Sequence, residues 1–118
     1  MNILSLLFGN PVPTLDVIEL NKKLKNGKRP LLIDVRQPDE YRNGHIAGAK
    51  LIPLGELKRN IKKLSQNKEI VVVCASGNRS RTATRILVDA GFDATNVKGG
   101  MLSWRRNRFP VKKGDAVH

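Results

Sequence analysis

The one cysteine of this 118-residue chain, Cys74, stands where a thiol could act as a nucleophile. It follows the apolar run Ile70-Val71-Val72-Val73 and opens the segment Cys74-Ala75-Ser76-Gly77-Asn78-Arg79-Ser80. A helical pattern begins directly afterwards, at Arg79-Ser80-Arg81-Thr82-Ala83. That order predicts a buried strand, a tight loop and a helix N-terminus, with the thiol at the mouth of the loop. Backbone N–H groups of such a loop turn inward and form an anion-binding nest. A thiol held there is favoured as thiolate, its nucleophilic form. The implied chemistry is sulfur or phosphoryl transfer through Cys74.

Magnitudes limit what the loop can do alone. A helix terminus contributes about 0.3–1 kcal/mol, which is less than one pKa unit. A thiol with a pKa near ~8.5 is only a few per cent ionised at neutral pH, and one unit lower gives roughly a quarter. A mostly ionised thiol needs several loop N–H groups and a cation. Arg79 and Arg81 are the nearby cations. The competing reading is an inert cysteine that ends a core strand, the usual fate of a free cysteine. Gly77, the small residues around it and the two arginines favour the functional reading.

The elements that must position the thiol read as strands alternating with helices. Pro11 to Thr14 is extended, and Thr14 is the expected N-cap of a helix carrying Leu15, Ile18, Leu20 and Leu24. That helix should end near Asn26-Gly27. Leu31 to Val35 suits a strand buried on both faces. Pro38 to Arg42 is a short helical turn with proline at its start, closed by Asn43-Gly44. Ala49 to Ile52 is a short strand stopped by Pro53. Leu54, Leu57, Ile61 and Leu64 mark a helical stretch with Lys58, Arg59, Lys62 and Lys63 on its outer face. Ile70 to Val73 is the central strand, Arg79 to Ala90 a helix, Ala94 to Val97 a strand, and Gly99-Gly100 opens a last short helix. Such alternation implies an α/β fold with a parallel sheet covered on both faces. Ligands of these sheets bind at the carboxyl ends of the strands, which is where Cys74 falls.

Composition bounds the rest. The chain is one domain, with 40% hydrophobic and 27% charged residues, and is globular. A single cysteine excludes an intramolecular disulfide and a cysteine-rich zinc site. No resolving cysteine is present in this sequence, so another molecule must resolve any persulfide. A reducing compartment suits it, and the cytoplasm is the expected location. The apolar segment Met1 to Phe8 lacks a basic start and a small-residue cleavage site, so it is a poor signal peptide. It is also too short to span a bilayer. The net charge is +12. Residues 51–118 carry 14 basic and 5 acidic side chains, against 8 and 5 in residues 1–50. That field would gather anionic substrates. Trp104-Arg105-Arg106-Asn107-Arg108-Phe109 could attract RNA, but no nucleic-acid motif accompanies the charge, and nucleic acid is not the expected partner.

Several segments together resemble the single-domain rhodanese family of sulfurtransferases. They are Leu32-Ile33-Asp34-Val35-Arg36, Glu40 to Ala49, Leu51-Ile52-Pro53, Val72 to Ser80, and Val97 to Trp104. They occur in the family's order across residues 12–110, the expected domain. A short N-terminal extension (1–11) and a C-terminal tail (111–118) flank it. The resemblance implies a rhodanese-like, mostly parallel five-stranded sheet flanked by helices on both faces. It implies that Cys74 takes sulfane sulfur from a small anionic donor such as thiosulfate, becomes a persulfide, and passes the sulfur to a thiol, to cyanide or to a sulfur-accepting protein. Substrate would be held by Ala75, Ser76, Gly77, Asn78 and Arg79. No cofactor and no metal are implied. Sulfurtransferase-type members have six residues from the cysteine through the loop-closing arginine, as Cys74 to Arg79 does. Phosphatase-type relatives have seven, and here the seventh position is Ser80.

Arg79 has two compatible expected roles, attracting the donor or fixing the loop through an ion pair. Asp34 should accept hydrogen bonds from loops around the site. Arg36 and Glu40, four apart across a turn, are expected to pair. His45 is expected to be a hydrogen-bonded turn residue, since an ionised thiolate needs no base. Gly99, Gly100 and Trp104 should shape the wall beside the site, with Trp104 in the core. The runner-up function is a sulfur-carrier or protein-binding module acting between partner proteins. A phosphatase or arsenate reductase is disfavoured by loop length.

Overall fold

A computed structural model describes residues 11–115. The N-terminal extension lies outside them except for Pro11, as do the last three residues. Five strands form one sheet: β1 (Thr14–Leu15), β2 (Leu31–Asp34), β3 (Lys50–Leu51), β4 (Glu69–Val73) and β5 (Asp93–Val97). Their order is β1-β5-β4-β2-β3. Every neighbouring pair is parallel, which realises the expected α/β sheet. Among the described residues four helices connect them, α1 (Val17–Lys25), α2 (Pro38–Arg42), α3 (Leu57–Asn60) and α4 (Asn78–Asp89), and α5 (Gly100–Arg106) follows β5.

The side-chain period of two along the strands sorts the core into two layers. Leu32, Val71, Val73 and Val97 face one way, onto Val17 and Leu20 of α1 and Met101 and Trp104 of α5. Ile33, Ile70, Val72, Cys74 and Ala94 face the other, with Leu57 of α3 and Ala83 and Leu87 of α4. Ile70 to Val73 are fully buried, because β4 is flanked by β5 and β2 and covered above and below. Parity therefore sends Cys74 to the α4 face, with Ile70 and Val72.

Most local readings hold in type; the exceptions lie at Thr14-Leu15 and in residues 54–64. Thr14 is not an N-cap; Thr14 and Leu15 form β1 against Asn96 and Val97. The cap is Asp16, whose carboxylate accepts the Glu19 N–H at 2.8 Å in a reciprocal capping box, since a carboxylate there satisfies an orphan helix donor. Ile18 is 49% exposed rather than core. The stretch from Leu54 to Leu64 is not one helix. It runs as a 3-10 turn (Leu54–Glu56), α3, and a second 3-10 turn (Ile61–Lys63). Leu57 and Leu64 are buried all the same, and Lys58, Arg59, Lys62 and Lys63 are exposed. Residues 111–115 run along the domain: His45 and Lys112 exchange backbone bonds at 2.9 and 2.8 Å, and the Gly114 N–H reaches the Arg42 carbonyl at 2.9 Å.

Candidate active site

The carboxyl end of β4 delivers Cys74 directly beneath the start of α4. The chain turns there in three residues, Ala75-Ser76-Gly77, and Gly77 sits at φ +107° as the N-cap of α4. A side chain at that φ would be strained, so glycine is what allows the helix to start so close to the strand. The turn brings two donors onto the sulfur. The Gly77 N–H points at Sγ from 3.1 Å. The Ser80 hydroxyl, on the first turn of α4, lies 3.2 Å from Sγ.

A second helix holds the loop from behind. The Met101 N–H donates to the Cys74 carbonyl at 2.8 Å, and the Leu102 N–H donates to the Ala75 carbonyl at 3.0 Å. These are orphan donors at the start of α5, satisfied by the site loop. Peptide planarity does the rest: with the two carbonyls turned towards α5, the N–H groups of Ala75 and Ser76 turn away from it, into the loop. Gly100 makes this contact possible. At φ +52°, a Cβ on residue 100 would lie 2.3 Å from the Cys74 carbonyl oxygen and 2.8 Å from the Ala75 backbone.

The electrostatics of the thiol follow from this geometry. Burial raises the pKa of Cys74, but the Ser80 hydroxyl and the backbone N–H groups of Ser80, Gly77 and Ser76 more than offset it, and the net shift is downward. Hydrogen bonds to the charged form do this work. Cys74 itself is only 1% exposed.

Arg79 acts as a clamp. Its guanidinium grips the Glu40 carboxylate with two bonds, Nη1 to Oε1 at 2.7 Å and Nη2 to Oε2 at 2.8 Å. The same carboxylate accepts the Gln37 N–H at 3.0 Å, which caps α2. The Arg79 hydrogen bond is the main reason that Glu40 is pushed down to about 2. Arg79 is held charged chiefly by Glu40, with Cys74 and Asp34 as weaker contributors. The expected Arg36–Glu40 pair does not form. Arg36 instead binds Asp34, through Nε at 2.9 Å and Nη2 at 2.8 Å. Both residues are buried, Asp34 at 0% and Arg36 at 4% exposure. Arg36 lies two residues beyond Asp34 and turns back over the strand end, so Glu40 is left for α4. Asp34 also accepts the Arg36 N–H at 3.1 Å, and Arg36 donates onward to the Gly44 carbonyl at 2.9 Å.

The other residues named from the sequence differ in exposure and partners. Ala75 is half-buried, Ser76 exposed and Gly77 buried. Asn78 opens α4 and is exposed, as is Arg81. His45 is a buried turn residue: Nδ1 lies 2.8 Å from the Tyr41 carbonyl, and the ring stacks on Tyr41 with centroids 3.6 Å apart. Trp104 is core, 2% exposed, with its indole N–H on the Pro110 carbonyl at 2.9 Å.

Two residues not singled out from the sequence join the site. Ser80 is fully buried, and Asn96 is 6% exposed; their Oγ and Oδ1 lie 2.5 Å apart. No local signal singles them out: Ser80 is one of several polar residues at the start of α4, and Asn96 sits in a strand that also carries Asp93 and Thr95.

Known proteins share this fold. The rhodanese-like domain profile matches residues 16–107. A Bacillus subtilis protein named "Putative sulfurtransferase YtwF" is 35% identical over 91 residues, covering 77% of this chain and 88% of the relative. Another from the same organism, "Putative sulfur carrier protein YrkF", is 35% identical over 94 residues, covering 79% of this chain. The aligned part makes up only 51% of YrkF, so the chain corresponds to about half of that protein. The crystal structure of a rhodanese-related protein from Thermoplasma volcanium superposes with a TM-score of 0.81 at 33% identity, over 86% of this chain and 99% of that one. With its profile matched from α1 through α5 and its all-parallel sheet reproduced in a solved relative, the chain belongs to the rhodanese-like domain family.

Proposed function

We propose that the protein is a sulfurtransferase in which Cys74 carries the sulfur as a persulfide. The observation that carries this reading is the sulfur's setting. Cys74 Sγ ends the central strand within 3.1 Å of the Gly77 N–H and 3.2 Å of the Ser80 hydroxyl. Such donors stabilise negative charge on sulfur before and after transfer. The names of YtwF and YrkF, a sulfurtransferase and a sulfur carrier, support sulfur as the cargo.

The cycle is nucleophilic catalysis. The Cys74 thiolate attacks the outer, sulfane sulfur of a donor such as thiosulfate. An S–S bond forms to Cys74, the donor's S–S bond breaks, and sulfite leaves with the bonding pair. The outer sulfur of the persulfide now bears the negative charge. A thiol or cyanide attacks that sulfur, takes it as a new persulfide or as thiocyanate, and returns the thiolate. The six-residue span from Cys74 to Arg79 supports a one-atom cargo over a tetrahedral phosphoryl group. Arg79, committed to Glu40, keeps the loop closed and contributes positive field.

Intact-mass measurement after thiosulfate treatment tests the reading. One added sulfur atom, removed by cyanide, is expected in the wild type and absent in Cys74→Ser. Wild-type protein that gains no sulfur, or sulfur turnover that survives in Cys74→Ser, would overturn it. Loading that persists without cyanide turnover would favour a carrier that hands sulfur only to a protein.

A further inference from the structure

Behind the sulfur runs a buried chain of polar groups whose far end, Asn96, the transfer chemistry does not itself require. Sγ of Cys74 is 3.2 Å from Oγ of Ser80, and that Oγ is 2.5 Å from Oδ1 of Asn96. Ser80 is fully buried and Asn96 is 6% exposed. The placement follows from register. Asn96 pairs with Val72 across β5 and β4, so its side chain shares the face of Val72 and Cys74, under the first turn of α4. A buried polar residue at such a position costs stability unless it is bonded.

The hydroxyl of Ser80 has one proton and two neighbours that can accept it. When Cys74 is a thiol, its S–H can donate to Oγ, and the Ser80 proton goes to Oδ1 of Asn96. When Cys74 is a thiolate, the sulfur needs that proton's hydrogen bond. Oγ then faces Asn96 as an acceptor and requires a donor. A side-chain amide carries both, a carbonyl at one end and an NH₂ at the other, and half a turn exchanges them. An aspartate could only accept, and a leucine could do neither.

We propose that Asn96 is a positioning residue that sets the direction of the Ser80 hydroxyl, accepting from it when Cys74 is a thiol and donating to it when Cys74 is a thiolate. The hydroxyl thereby follows the charge on sulfur, in both directions, without water. Water has little access, because all three residues are buried. The charged groups around the loop are already paired: Arg79 of α4 with Glu40 of α2, and Asp34 with Arg36 at the end of β2. None of them approaches the hydroxyl within hydrogen-bond distance, so the amide controls it. This inference rests on Cys74 as the working sulfur, but it concerns the proton rather than the cargo.

The test is a double-mutant cycle read as the pH midpoint of Cys74 alkylation by iodoacetamide, a neutral probe of the thiolate. Asn96→Leu should raise the midpoint by about half a unit or more, since the Ser80 hydroxyl that donates to the thiolate loses the amide N–H that satisfies its buried oxygen. Ser80→Ala should raise it too. In the Ser80→Ala background, Asn96→Leu should add about 0.2 unit or less, because Asn96 acts only through the hydroxyl. A residue that merely fills space would not couple in this way. An unchanged midpoint in Asn96→Leu, or an equal shift in both backgrounds, overturns the proposal. If Asn96→Leu does not fold, the side-chain amide of Asn96 in the wild type serves instead. Followed by NMR, one of its protons should move with the same midpoint as Cys74, and an amide that ignores that midpoint overturns the proposal. Neither readout depends on sulfur loading, so a failure here is distinct from a failure of the sulfurtransferase reading, which intact mass reports.

Discussion

At the scale of single residues, the site separates the groups that touch sulfur from the group that holds the loop. Ser80 and Gly77 touch it. Arg79 holds Glu40 in a two-bond fork with side chains 36% and 32% exposed. That geometry makes an acid-dependent contribution to stability. Glu40 is pushed down from 4.5 to about 2, mainly by its bonds with Arg79. A depressed carboxylate stabilises the fold fully above its unfolded value, and that stabilisation is lost as pH falls towards the folded value. The window here runs from about 4.5 down to about 2. Partly exposed pairs contribute about 1 kcal/mol or less, even with good geometry. Glu40→Gln should therefore lower Tm near pH 6 by about 4 °C or less, and the difference from wild type should vanish as pH approaches 2. Thermal unfolding followed by circular dichroism checks this; a gap that stays constant with pH would mean that the pair does not carry the effect.

At the scale of elements, the loop is pinned between two helix starts. Gly77 lets α4 begin four residues after Cys74, and α5 uses two of its free N–H groups on the Cys74 and Ala75 carbonyls. Gly100 makes the tightest glycine approach to backbone, since a Cβ there would stand 2.3 Å from the Cys74 carbonyl oxygen, which cannot yield without moving Cys74. Gly100→Ala should destabilise by about 2 kcal/mol or more, adding left-handed strain to the clash. It should also cut the rate of sulfur loading, because the displaced peptides are the ones that aim N–H groups at Sγ. Gly27→Ala is the matched control. Nothing lies within 4 Å of its would-be Cβ, and a change within about 0.5 kcal/mol is expected. Urea midpoints and single-turnover loading rates for both variants distinguish a local role for Gly100 from a general sensitivity to added methyl groups.

At the scale of the whole molecule, the charge of +12 surrounds a sulfur that carries negative charge in the reading proposed here. A positive field speeds the approach of an anion and is screened by salt, with a Debye length of about 8 Å at physiological ionic strength. Loading by thiosulfate should slow as salt rises, whereas alkylation by neutral iodoacetamide should hardly change. Stopped-flow rates across a salt series measure both, and equal dependence for the two reagents would mean that the field does not select the donor. Among the described residues no helix is long and apolar enough to cross a membrane.

What the sequence by itself determined is the alternation of elements and the place of the sulfur. The apolar run before Cys74, the glycine after it and the helical spacing beyond are local signals, and local signals specify strand, turn and helix. The approximate span of α1 came the same way, though its cap did not. Asp16 and Thr14 are both competent N-caps, and what decided between them was the pairing of Thr14 and Leu15 with β5, a contact more than 80 residues away in the chain. The partners of Arg36, Glu40 and Arg79 were equally out of reach. Four-residue spacing suggested Arg36 with Glu40, but the sheet places Asp34 beneath Arg36 and brings α4 over α2, so the charges are exchanged between elements. The same holds for Ser80 and Asn96. Each looked like an ordinary polar residue until the parallel register of β4 and β5 set them on one face with the sulfur. Short-range patterning encodes which elements form, and only the packing of those elements brings side chains distant in sequence to within hydrogen-bond distance.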